Sequence, residues 1–192
     1  MEVGPLARAL VMYASGNEQM KELVDYTLKT LDAPVEALFS LLAGAGLVRA
    51  VKVPEDIDAR EAMSLASLYG GITLANAGLG LAHGLAHPLG IRYGIPHGMA
   101  CALTMAKVIQ YNRPARRQRY DEIAGLLGGG ADAADAFSSL LERLGVPARL
   151  SDYGVKKSDI PRIVEESRGG SRGYNPIDHN DETVARMLEE LL

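Results

Sequence analysis

An all-α fold, in one domain over residues 1–192, is expected from three features of this chain. Apolar residues recur three and four apart through most of it, the period of a helix that buries one face. No stretch alternates apolar and polar residues with the period of two that a half-buried strand needs. From Ala62 to Ile91 there is no Asp, Glu, Lys or Arg, as in a helix enclosed by other helices.

The elements follow in order. Residues 5–14 read as a short helix with one charge, Arg8, and Ser15-Gly16-Asn17 breaks it. Asn17 is a good N-cap, because its side-chain oxygen can accept from the next turn. A helix over 18–31 then carries Met20, Leu23, Val24, Leu28 and Leu31 on one face. Asp32-Ala33-Pro34 opens another, which runs to Gly44 or Gly46, and Val53-Pro54-Glu55-Asp56 is a loop. A central helix spans 57–77, with Gly70-Gly71 a place where it can break. Further on, helices are expected from His97 to Tyr111, over 115–127, over 132–144, from Ile160 to Arg168 and over 181–191. Their stops are Asn112-Arg113-Pro114, Gly128-Gly129-Gly130, Gly145 with Pro147, and the loop from Gly169 to Asn175.

Composition narrows the function. With 47% hydrophobic and 23% charged residues the chain is globular, and at this length it can bury ~70% of its unfolded surface. A net charge of −4 gives no reason to expect nucleic acid. The uncharged run is long enough to raise a membrane span, but its glycines, two histidines, Asn76, Thr73 and two serines argue against one. The N-terminus has no basic region of the signal-peptide kind, so a cytoplasmic location is expected. The single cysteine, Cys101, excludes an internal disulfide and reads as a small core residue.

Three of the four histidines stand together, in Gly78-Leu79-Gly80-Leu81-Ala82-His83-Gly84-Leu85-Ala86-His87-Pro88-Leu89-Gly90 and Pro96-His97-Gly98. His83 and His87 are four apart, hence on one helix face. Pro88 should kink or end that helix, Gly90 suits a turn, and Pro96 suits the first position of the next helix. A bend between 88 and 96 would return His97 towards His83. Neutral imidazole is the commonest metal ligand, so a shared site is favoured over three separate core histidines.

These residues, with Asn76-Ala77 before them and Met99-Ala100 after, resemble the signature of the iron-containing (group III) alcohol dehydrogenases. The similarity extends to Asp58-Ala59-Arg60-Glu61-Ala62-Met63, Val108-Ile109-Gln110-Tyr111-Asn112, Gly145-Val146-Pro147 and Asn175-Pro176. It covers residues 47–192, with residues 1–46 a weaker match to the helices that precede them. The resemblance implies the helical C-terminal domain of that family, with His83 and His97 as metal ligands and His87 beside substrate and nicotinamide. It also implies two more ligands, in the pattern Asp-Ala-x-x-His-Ala-x-Glu. The best register is Glu18-Gln19-Met20-Lys21-Glu22-Leu23-Val24-Asp25, where Glu18 and Glu22 replace both ligands but share a helix face. A site of His83, His97, Glu18 and Glu22 would suit Fe²⁺, Zn²⁺ or Mn²⁺.

The family's NAD(P)-binding α/β domain has no counterpart in these residues. NAD(P) is therefore expected only through another domain or a partner chain. Two readings follow: a metal- and substrate-binding half of a dehydrogenase, or a non-catalytic helical module that keeps the fold. Self-association, or a second protein, is also expected at a face bearing Leu79, Leu81, Leu85 and Ile95 that a nucleotide domain would otherwise cover, the alternative being that residues 1–46 fold over it.

Other features read more plainly. Gly128-Gly129-Gly130 follows a helix rather than a strand and is a linker, not a phosphate cradle. Arg113, Arg116, Arg117 and Arg119 form a solvated or partner-facing patch. His179 is an exposed loop residue, and Tyr69, Tyr93 and Tyr111 pack in the core.

Overall fold

The computed structural model describes residues 46–192 apart from 78, 128–131, 148 and 170, with backbone alone for 69–77. All regular structure among the described residues is helical. Helix α1 spans Leu47–Lys52, α2 Ile57–Ala77, α3 Leu81–Tyr93 and α4 His97–Asn112. Helix α5 spans Arg117–Leu126, α6 Ala133–Leu144, α7 Ile160–Glu166 and α8 Asp181–Glu189. Short 3₁₀ turns lie at Arg113–Ala115, Leu150–Tyr153, Lys157–Asp159 and Arg172–Tyr174. The helices expected before residue 46, the Gly128–Gly130 linker and the Tyr69 side chain lie outside the described residues.

Helix α4 is the axis. On one side it shares with α3, α7 and α8 a core built on Leu81, Leu85, Leu89, Leu103, Ile163 and Leu188. On the other, Ile109 meets Ala124 of α5 and Ala133 and Ala134 of α6, small residues that let helices approach closely. Leu47 and Val48 pack on a further cluster of Leu127, Ala136 and Leu140, which docks α1 against α6. Helix α1 was not anticipated, since six residues are too few to establish a period.

The helix ends follow the chemistry of unpaired backbone groups. Asp56 Oδ1 accepts from the Ala59 N–H at 3.0 Å, Asp132 Oδ1 from Ala134 at 2.7 Å, and Asn180 Oδ1 from Thr183 at 2.9 Å. Gly145 ends α6 at a φ of 70°, the left-handed conformation that costs glycine nothing.

Two expectations about the histidine segment need correcting. Pro88 does not end α3, which continues to Tyr93. An interior proline costs a helix about 3 kcal/mol, but Pro88 is buried with Leu85, Ala86 and Leu89 on the face that forms the core. The actual break is Gly94-Ile95-Pro96, with Gly94 left-handed at a φ of 66°. Nor is Gly90 in the turn. A Cβ there would lie 3.3 Å from the Ile95 carbonyl oxygen, so glycine lets the turn fold back over α3.

The expected apolar face is also different. Leu81 and Leu85 are 1% exposed and Ile95 2%, because α4 and α7 already cover them, and Leu79 is half-buried. The large apolar side chains that face outward are elsewhere: Ile57 is 70% exposed, Ile91 84%, and Leu65 and Leu68 are partly exposed along α2.

Candidate metal centre

Helix α3 begins at Gly80, which has no side chain to cap it. The missing acceptor is supplied from far along the chain: Asn175 Oδ1 accepts from the Leu81 N–H at 3.2 Å. A Cβ at position 80 would lie 3.3 Å from that same oxygen, so glycine makes room for the cap. Asn175 is held in turn by Asn112. The two amides exchange hydrogen bonds, Asn112 Nδ2 to Asn175 Oδ1 at 2.9 Å and Asn175 Nδ2 to Asn112 Oδ1 at 2.7 Å. Asn175 Nδ2 also donates to the Ile177 carbonyl at 2.8 Å. This amide pair, Asn112 buried and Asn175 half-buried, ties the end of α4 and the 175–179 loop to the start of α3, two residues before His83.

His83 lies in the first turn of α3, His87 one turn later, and His97 is the first residue of α4. The three rings converge, as the sequence anticipated. The His83 and His97 ring centroids are 5.3 Å apart and those of His87 and His97 5.9 Å. Cys101, one turn after His97, joins them, with its Sγ 3.8 Å from His97 Nε2. One ligand atom each from His83, His97 and Cys101 can be chosen within 4.8 Å of one another. Cys101 does pack against the core, but its sulfur faces the histidines. The i, i+4 spacing from His97 is the sequence signal for this. Two nitrogens and a sulfur this close are a donor set that a divalent ion fits. Glu18 and Glu22 lie outside the described residues.

His83 is half-buried while His87 and His97 reach solvent. Burial lowers the His83 pKa below the ordinary imidazole value, and the nearby His97 and His87 lower it further. The shift favours the neutral imidazole, the form that can ligate. Burial pushes the Cys101 thiol pKa up.

His179, expected to be exposed, is 8% exposed. Its Nε2–H donates to Asn112 Oδ1 at 2.9 Å, and its ring meets Tyr111 edge-on at 6.1 Å. It is part of the frame that carries the cap. Burial lowers its pKa, the Arg172 charge adds to this, and Asp178 opposes it. On acidification the unfolded chain takes up this proton first, near pH 6.5. Stability should therefore fall as pH drops from about 6.5 through the folded pKa. Urea denaturation at several pH values checks this. His179→Gln should reduce the loss, and an unchanged pH slope in the variant would show that His179 is not responsible.

The arginine patch is largely ion-paired within the chain. Arg113 meets Asp121 at 2.7 Å and Arg119 meets Glu122 at 2.9 Å. Tyr93 and Tyr111 are partly buried against the core, and the Tyr111 hydroxyl donates to Glu190 at 2.8 Å. Among the described residues no helix is long and apolar enough to cross a membrane.

Comparison with known proteins agrees with this architecture. A sequence profile of the Fe-containing alcohol dehydrogenase family, C-terminal, matches residues 31–192. The 1,3-propanediol dehydrogenase of Klebsiella pneumoniae is 34% identical over 160 residues, which are 78% of this chain and 41% of that protein. The lactaldehyde reductase of Escherichia coli (strain K12) is 37% identical over 154 residues, 74% of this chain and 40% of that one. Among solved structures, 1,3-propanediol oxidoreductase superimposes with a TM-score of 0.79 at 34% identity, over 84% of this chain and 45% of that one. The alcohol dehydrogenase from Oenococcus oeni gives 0.79 at 28% identity, over 84% and 45%. The chain thus spans about two fifths of the length of these curated relatives. It belongs to the Fe-containing alcohol dehydrogenase family and carries that family's C-terminal, helical part.

Proposed function

We propose that the chain is the metal- and substrate-binding half of an alcohol dehydrogenase-like enzyme. Its redox chemistry would require an NAD(P)-binding domain from outside these 192 residues. The observation that carries this reading is the convergence of His83 and His97, with ring centroids 5.3 Å apart, in a chain of this family. These two imidazoles would hold a divalent ion. The ion supplies Lewis-acid polarisation of an alcohol or carbonyl oxygen. His87 is solvent-exposed and packed edge-on to His97. It is placed to orient a substrate hydroxyl or carry its proton. The cap from Asn175 to Leu81 holds His83 in position, which keeps the ligands preorganised. The substrate class is a short alcohol or its aldehyde, which the names of the propanediol and lactaldehyde relatives share.

Purified chain, first stripped of metal, is expected to bind about one equivalent of Zn²⁺ or Fe²⁺ in calorimetry, as one ligand cluster implies. NAD(P)H should show no micromolar binding to the same sample. Absence of any metal uptake would remove the dehydrogenase-half reading and leave the non-catalytic module. Micromolar NAD(P)H binding would instead refute the need for an outside nucleotide domain.

A further inference from the structure

We propose that Cys101 Sγ is a third protein ligand, so that His83, His97 and Cys101 form a two-histidine, one-thiolate site for Zn²⁺ or Co²⁺. The inference rests on the histidine pair being a metal centre. It adds a ligand to that centre and names the class of ion it selects.

The geometry is the first ground. His97 and Cys101 stand one helical turn apart on α4, so their side chains lie one above the other on the same face. Their Nε2 and Sγ atoms are 3.8 Å apart. A nitrogen and a sulfur on one tetrahedral ion, at about 2.1 and 2.3 Å from it, lie about 3.6 Å apart. The three donors together lie within 4.8 Å, and the solvent-exposed His97 ring has freedom to close the remaining gap.

Rigidity is the second ground. The turn that carries Cys101 cannot swing away, since Ala100 and Thr104 beside it are fully buried. The Thr104 hydroxyl donates back to the Ala100 carbonyl at 3.0 Å and lies 3.2 Å from that of Cys101. The backbone that carries the sulfur therefore stays beside the histidine cluster.

Ion choice follows from the donors. Thiolate favours the softer divalent ions, whereas a set of carboxylates and water favours Mg²⁺ or Mn²⁺. Two imidazoles and a thiolate suit Zn²⁺ and its spectroscopic substitute Co²⁺. On binding, the metal–sulfur bond replaces the S–H bond and the proton passes to solvent.

Co²⁺ titration of the metal-free chain under reducing, anaerobic conditions tests this. Cys101 is the only cysteine, so a thiolate-to-cobalt charge-transfer band in the near ultraviolet can come from nowhere else in the chain. The expected result is that band, growing to about one equivalent and bleached by Zn²⁺. Cys101→Ala, with helicity confirmed by circular dichroism, should still bind Co²⁺ but without the band. Its affinity should fall about tenfold or more, the lower end of what loss of even an outer-shell partner costs a metal site. Co²⁺ binding without the band in the unaltered chain would overturn the thiolate ligand and leave the histidine centre intact. A band that persists in Cys101→Ala would overturn it equally. No Co²⁺ binding at all would overturn both this proposal and the metal-centre reading beneath it.

Discussion

Asn175→Ala is expected to destabilise the domain by about 3 kcal/mol, because it leaves buried hydrogen-bonding groups without partners. The Asn175 amide accepts from the Leu81 N–H and from Asn112, and donates to Asn112 and to the Ile177 carbonyl. Truncation removes all four bonds. Leu81 is 1% exposed and Asn112 2%, so neither group faces bulk water in the intact fold. Each orphaned group costs roughly 1–3 kcal/mol, so the two together cost about 2–6 kcal/mol, and relaxation, with Asn112 Oδ1 still bonded to His179, keeps the total in the lower half of that range. Asn112→Ala breaks the same pair and also takes the acceptor from His179. The double variant should therefore lose much less than the sum of the two single losses, with a coupling of about 1–3 kcal/mol. Urea denaturation of the four proteins measures it. Additive losses would show that the two amides do not act as a unit.

His97→Ala is expected to lower divalent-metal affinity by at least about a hundredfold, the upper end of what loss of an outer-shell partner costs a metal site. His97 is the ring that every other member of the cluster faces: His83 at 5.3 Å, His87 at 5.9 Å, and Cys101 through its Nε2. His83→Ala should cost a similar amount, since its ring is the other imidazole of the His83–His97–Cys101 cluster. His87→Ala separates the roles. It should leave metal affinity essentially unchanged while lowering turnover about 10²–10⁴-fold once a nucleotide-binding domain is supplied, the range for a lost general acid or base. Calorimetry gives the affinities and a fused nucleotide-binding domain gives the turnover. Wild-type metal affinity in His97→Ala would exclude His97 as a ligand. A loss of metal in His87→Ala would move that residue from the substrate into the ligand set.

Most helices were legible because their signals are local. Asp132 and Gly145 bound α6 by cap chemistry that can be read from the residues themselves, and α2 was marked by the Val53–Asp56 loop before it and the uncharged run from Ala62. The histidine convergence was legible for the same reason, through the i, i+4 spacing and the nearby break. The fate of Pro88 was not local. Pro88 is buried inside α3, and that burial depends on how the whole helix packs, which the residues around position 88 do not reveal. His179 was misread for a similar reason: a polar loop looks solvated until Asn112, 67 positions earlier, is placed beside it. Cys101 lay within reach of sequence reasoning, four residues after His97, but its apolar neighbours suggested core packing alone.

The cap on α3 also has a consequence in time. The oxygen that receives the Leu81 N–H belongs to a residue 94 positions later in the chain. On a ribosome adding about 5–20 residues per second, roughly 5 to 20 seconds pass between synthesis of the helix start and of its cap. All three clustered histidines and Cys101 are made during the early part of that interval, when the turn holding His83 has no acceptor to settle it. The start of α3 thus gains its cap late, although the ligands beside it come from the middle of the chain. A nascent chain halted before Asn175 would carry every ligand of the centre described here and lack the cap that sets their spacing.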